Sequence, residues 1–110
     1  MPAAHSSPTC SWSGVLPAVT TQFDADLRLD LAATRAVQSA LIEDGVHGLV
    51  ALGTVGENNS LTAEEKRSVL RTAVEAAAGR VPVVAGVSER TTAAAVAFAR
   101  DAQALGATGL

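Results

Sequence analysis

Residues 49–65 read LVALGTVGENNSLTAEE. The apolar run Leu49–Leu52 is a strand candidate, and Thr62-Ala63-Glu64-Glu65 is a capping box that opens a helix. In such a box the Thr hydroxyl and the carboxylate of the Glu three residues on satisfy free N–H groups at the helix start. Between strand and helix lies Gly53-Thr54-Val55-Gly56-Glu57, a glycine-hinged loop at the strand exit. A threonine hydroxyl and a row of backbone N–H groups between two glycines suit the capture of a small carboxylate. Strand, glycine loop and capped helix together make one βα unit.

The same unit recurs on both sides. Upstream, Val15–Thr20 is a short apolar strand candidate, and Asp30 caps a predicted helix from about Leu31 to Asp44, with Gly45 at its end. The helix opened by Thr62 runs to about Ala78 and closes at Gly79. Downstream, Val81–Ala85 precedes a helix from about Thr92 to Leu105, closed by Gly106, and Ala107–Leu110 reads as the start of a fourth strand. In the second helix Val69, Leu70, Ala73, Val74 and Ala77 share one side, opposite Glu64, Arg67, Ser68, Arg71 and Glu75. The third carries a narrower stripe of Ala95, Phe98, Ala99, Ala102 and Leu105. The strands are nearly continuous apolar runs, the pattern of a parallel sheet covered on both faces. Repeats of roughly thirty residues indicate right-handed βαβ units and the α/β class.

Composition narrows the function classes. The chain has 110 residues, 48% apolar but only 3% aromatic with no tyrosine, so its core is built from Ala, Val and Leu. The net charge of −3 and scattered basic residues give no footprint for nucleic acid. No run has the length of a membrane span. Residues 1–13, MPAAHSSPTCSWS, lack the basic start and apolar middle of a signal peptide and read as a disordered tail before a domain over 14–110. Cys10, the lone cysteine, can form neither an internal disulfide nor a structural zinc site, which fits a cytoplasmic protein. His5 and His47 lack the partners of a metal site or catalytic triad, and no metal or other cofactor is expected.

An open doubly wound sheet and part of a closed (β/α)₈ barrel both accommodate these repeats. No G-x-G-x-x-G follows the first strand and no P-loop occurs. In-order repetition suits a barrel, although periodicity alone leaves both open.

Several segments together resemble the dihydrodipicolinate synthase / N-acetylneuraminate lyase family of class I pyruvate aldolases. They are Ala18-Val19-Thr20-Thr21 with Phe23, Gly53–Glu57, Leu61–Glu65, Val81-Pro82-Val83-Val84-Ala85-Gly86-Val87, Thr92 and Gly106-Ala107. The resemblance covers residues 14–110 in order and spacing. It implies the N-terminal part of a TIM barrel, about three βα units and the start of a fourth strand. A complete barrel takes about 250 residues, with its active site at the C-terminal ends of the strands. It also implies a Schiff base between a lysine and pyruvate or a related 2-keto acid, with no nucleic-acid or membrane partner. The complete relatives are expected to be homo-oligomers of the tetramer-of-dimers type. The family's lysine belongs to the sixth strand and its tyrosine relay to later strands. This chain alone is therefore expected to be inactive. A non-catalytic truncated protein and a small α/β anion-binding domain are the alternatives.

The resemblance assigns Thr54 to a proton relay and to substrate binding, beside Gly53, Gly56 and the backbone N–H of Val55. A Thr hydroxyl both donates and accepts, as a relay requires, although it can also simply cap a turn. Val55 departs from the family's usual second Thr and has no hydroxyl to offer a carboxylate, which favours a relative with another substrate over the lysine-biosynthetic synthase. Glu57 and Thr21 are expected to be structural, Glu57 by bonding backbone groups. Gln22 stands where the family usually has proline and is expected to leave the first loop less rigid. Lys66, the only lysine, lies in the first turn of the second helix. Its amine is expected to snorkel to water from the core rim, a poor place for a Schiff-base lysine. Ala63, Lys66, Arg90 and Ala94 stand where lysine-inhibited relatives have a feedback site and do not support one.

Overall fold

The computed structural model describes residues 10–110; most of the predicted tail, including His5, lies outside them. Three helices and two short strands follow in the order α1 (Leu31–Glu43), β1 (Leu49–Ala51), α2 (Ala63–Ala77), β2 (Val83–Ala85) and α3 (Thr92–Leu105). A single 3₁₀ turn, Asn58–Ser60, separates β1 from α2.

Local chemistry sets the helix ends. The Asp30 carboxylate accepts the Ala33 N–H, and the Thr91 hydroxyl accepts that of Ala94. Thr62 and Glu65 form the reciprocal capping box read from the sequence. At the C-terminal ends Gly45 and Gly106 take φ of 94° and 103°. At the end of α2 the left-handed turn starts one residue earlier than predicted, at Ala78 (φ 49°), and continues through Gly79.

β1 and β2 pair in parallel, Leu49 opposite Val83 and Ala51 opposite Ala85. The predicted first and fourth strands are reduced to single parallel bridges, Ala18 with Val50 and Val84 with Gly109. The flanking hydrogen bonds hold them as strands nonetheless: Val19 N–H to Val50 O at 2.9 Å, Val50 N–H to Pro17 O at 2.9 Å, and Ala85 N–H to Gly109 O at 2.9 Å. Pro17 and Pro82 both contribute carbonyls to the ladder, accepting the N–H groups of Val50 and Leu49.

This order decides the architecture. Each strand position pairs with its neighbour in sequence, and the fourth lies beside the third. In a dinucleotide-binding sheet the fourth strand lies beside the first, and in a flavodoxin-like sheet the first lies beside the third. Consecutive pairing with each helix packed on the next, α1 on α2 and α2 on α3, is instead the arrangement of a (β/α)₈ barrel wall.

The core lies between sheet and helices. Leu49, Ala51, Val83 and Ala85 point into it and meet Val69, Leu70 and Ala73 of α2, Ile42 of α1, and Phe98 and Ala102 of α3. The alternate residues Val50 and Val84 face the other way and are only half-buried. That second face is the one a closed barrel turns to its interior. Helices cover one face, and the shortest dimension of 19 Å is that of a sheet with one helical layer. Trp12, placed by sequence in the tail, lies with its ring against Gly109.

Candidate functional site

The loop after β1 is folded on itself by its own backbone. The Gly56 and Asn58 N–H groups both donate to Gly53 O, at 3.1 and 3.3 Å, and Glu57 N–H donates to Thr54 O at 3.0 Å. Three N–H groups thereby turn inward. Those of Thr54 and Val55 take no part in this bonding, and both residues are exposed, Val55 by 52%. The free donors thus number fewer than the full row of N–H groups the sequence suggested. They are concentrated beside the Thr54 hydroxyl.

The glycines do not act as the hinges. Left-handed backbone in this loop occurs at Leu52 (φ 64°) and Glu57 (φ 58°), one residue outside Gly53 and one beyond Gly56. Gly53 has open space where a Cβ would be. Gly56 is needed for close approach, since a Cβ there would lie 3.0 Å from Val19 O and 3.1 Å from Leu52 N. Leu52 is the unusual residue: a large, 1% exposed side chain at positive φ. Such backbone costs on the order of 1–3 kcal/mol and persists where its surroundings enforce it, commonly at functional sites.

Two side chains tie the loop to its neighbours. Thr21, from the loop after the first strand position, donates its buried hydroxyl to Gly56 O at 2.7 Å. Asn58 donates from Nδ2 to Leu52 O at 2.8 Å and to Gly86 O at 3.4 Å, joining the exits of β1 and β2. The sequence reading passed over Asn58, because an Asn in a polar loop gives no signal of its 97% burial (3% exposed). Glu57 departs from its expected role. Its side chain makes no capping bond, and it shapes the loop through its backbone, whose carbonyl accepts the Ser60 N–H at 2.9 Å.

Gln22 also departs from expectation. Its N–H, which a proline would lack, donates to Thr34 Oγ1 at 3.0 Å, and its Nε2 donates to Thr20 Oγ1 at 2.8 Å. The first loop is therefore held by bonds that proline could not supply. Lys66 does not reach water. It is 4% exposed and its Nζ lies 2.9 Å from Glu89 Oε1, in the loop after β2. The pair lines a cavity of about 440 Å³ together with Asn59, Leu61, Ser88 and Arg90. α2 is packed from several sides, so a residue at its apolar edge is enclosed rather than left at a rim.

His47 lies at the opposite end of the sheet, before β1, where its Nδ1 accepts the Val15 N–H at 2.9 Å. A cavity of about 470 Å³ opens there among Trp12, His47, Arg80 and Thr108. Its volume exceeds that of the cavity near Lys66, but it faces the strand entries, and none of the hydroxyls that line it (Ser11, Ser13 and Thr108) makes a hydrogen bond to His47. Among the described residues no group of three or more His, Cys, Asp or Glu is placed to hold a metal ion. No helix among them is long and apolar enough to cross a membrane.

Known proteins share this arrangement. The model of the dihydrodipicolinate synthetase family matches residues 11–110. The 4-hydroxy-tetrahydrodipicolinate synthase of Salinibacter ruber is 46% identical over 97 residues, which cover 88% of this chain and 32% of that protein. An uncharacterized DapA-like lyase of Halobacterium salinarum is 40% identical over 109 residues, 99% of this chain and 36% of the relative. Among solved structures, dihydrodipicolinate synthase from Aquifex aeolicus superposes with a TM-score of 0.83 at 33% identity, over 89% of this chain and 33% of that one. YagE, a prophage protein of the dihydrodipicolinic acid synthase family from E. coli K12 solved in complex with pyruvate, gives 0.82 at 37% identity, over 89% and 33%. The chain thus spans about a third of the length of the relatives it matches and corresponds to the N-terminal part of their barrel. With its strand order, capping box and β1 loop in one continuous match, the chain belongs to the dihydrodipicolinate synthetase family.

Proposed function

We propose that residues 14–110 form the carboxylate-side wall of a pocket in which a lyase of this family holds pyruvate or a related 2-keto acid as a Schiff base. The observation that carries this reading is the exposed edge of the β1 loop. There the Thr54 hydroxyl stands beside the N–H groups of Thr54 and Val55, which the loop's own bonding leaves unused. A keto-acid carboxylate accepts from those N–H groups, and the Thr54 hydroxyl passes protons during imine formation. Gly53 and Gly56 shape the edge, while Thr21 and the Glu57 backbone brace it from behind. Val55 offers the carboxylate an N–H but no hydroxyl. A hydrogen bond to a charged group is worth about 1.5–3 kcal/mol, so the carboxylate is held less tightly than in a relative with a second Thr, which allows another substrate.

The imine-forming amine is not among these 110 residues. Lys66 is the only lysine, and its amine is engaged by Glu89 and enclosed. A Schiff-base lysine needs access to the carbonyl carbon, and the ion pair with Glu89 occupies this amine inside the packed edge of α2. The chain by itself is therefore inactive, and the whole enzyme acts in the cytoplasm as a homo-oligomer of the tetramer-of-dimers type. Trapping with pyruvate and borohydride, read by intact mass, tests the assignment. The 110-residue chain is expected to keep its mass. A stable adduct on Lys66 would place the chemistry on the wrong residue.

A further inference from the structure

We propose that Asn58 is a positioning residue that holds Leu52 in its left-handed conformation and so aims Thr54 and Val55 at the ligand. The inference rests on the carboxylate-wall reading for what the loop is aimed at, though not for the geometry of the clamp. Leu52 is the last residue before Gly53, and its φ of 64° turns the chain out of β1 into the loop. That turn swings Leu52 O sideways, toward β2. Two groups receive it. Asn58 Nδ2 donates to it at 2.8 Å, and Gly86 packs so closely that a Cβ on that residue would lie 2.3 Å from the same oxygen. Asn58 Nδ2 also reaches Gly86 O at 3.4 Å. One amide thus spans the exits of both strands.

The chemistry fixes which end of the amide does this. Both targets are carbonyl oxygens, so only the NH₂ end can face them. Asn58 Oδ1 is then a buried acceptor with no protein donor. Aspartate has the same shape but no donor, and it would set a carboxylate oxygen against two carbonyls. Alanine would leave Leu52 O unsupported. Packing alone would accept aspartate or leucine at a buried site of this size; donation to Leu52 O accepts neither. The same residue begins the 3₁₀ turn whose N–H closes onto Gly53 O, so the clamp and the loop's own bonding meet at one position.

Hydrogen exchange read by mass spectrometry on the 110-residue chain tests this, comparing a peptide over 52–60 with one inside α2. Asn58→Ala and Asn58→Asp are both expected to speed exchange at 52–60 about five- to tenfold, the factor for one lost hydrogen bond, with much smaller change in α2. Two outcomes overturn the proposal. In one, Asn58→Asp exchanges like the parent chain, which makes shape sufficient. In the other, both peptides accelerate equally, which makes Asn58 a general packing residue. Excess pyruvate added to the parent chain is expected to slow exchange at 52–60, and Asn58→Ala to abolish that slowing. Absence of slowing in the parent chain counts against the carboxylate wall and leaves the clamp to be judged by the first comparison. Slowing that survives in Asn58→Ala overturns the aiming role.

Discussion

Lys66 lies one turn into α2, where the helix N-terminus disfavours a positive charge. Glu89 offsets that, and both side chains are shielded, with 6% and 19% exposure. Removing one partner of such a pair strands a buried charge. Glu89→Gln is expected to lower stability by about 3 kcal/mol, near the low end for buried pairs because Glu89 keeps some contact with water. The double substitution Lys66→Met with Glu89→Leu should recover most of that loss. Urea denaturation of the parent chain and these two variants measures it; a double variant no better than Glu89→Gln alone would show that the pair is not enclosed. The sequence suggested the helical position of Lys66 and its closeness to the apolar stripe. It could not show Glu89, because the partner comes from a loop 23 residues away that only the βαβ crossover brings near.

At the scale of elements, the helices were legible because each carries its own signals. Asp30, Thr62 with Glu65, and the glycines at 45 and 106 mark ends that local hydrogen bonding decides. The strands were less so. Val15–Thr20 and Ala107–Leu110 read as well as Leu49–Leu52, yet each makes only one bridge, since strand extent depends on neighbours rather than on local pattern. The β1 loop was half legible. Its glycines stood out, but the positive φ falls on Leu52 and Glu57, which no local signal marks. Gly86 has a stricter steric demand than Gly53, which no local pattern marks. Gly86→Ala is expected to destabilise the chain by about 1–3 kcal/mol, as an added methyl does in a packed site, and Gly53→Ala by far less. Thermal midpoints of the two variants compare them; equal losses would contradict the close approach of Gly86 to Leu52 O.

For the whole molecule, one face of the sheet is under helices and the other presents Val50 and Val84 half-covered. The bridges at Ala18 and Gly109 leave unpaired backbone on both outer sides of the described sheet. Parallel edges of this kind recruit other strands. The 110-residue chain is expected to self-associate at micromolar concentration, and Val50→Thr with Val84→Thr to weaken that association. Sedimentation velocity across a dilution series reports it; a monomer with a sharp cooperative melt would show that the inner face needs no cover.

The role proposed for Thr54 lies at the reacting end of the keto-acid pocket. It is tested most directly by a chimera in which residues 14–110 replace the matching stretch of the Salinibacter ruber synthase, compared with the same chimera carrying Thr54→Val. Valine keeps the shape and the backbone N–H while removing the hydroxyl. The turnover number kcat is expected to fall by about 10²–10⁴, the range for a lost proton-transfer group, with KM for pyruvate changed by only a few-fold. A kcat that stays within a factor of two would exclude the proton relay and leave Thr54 a turn residue.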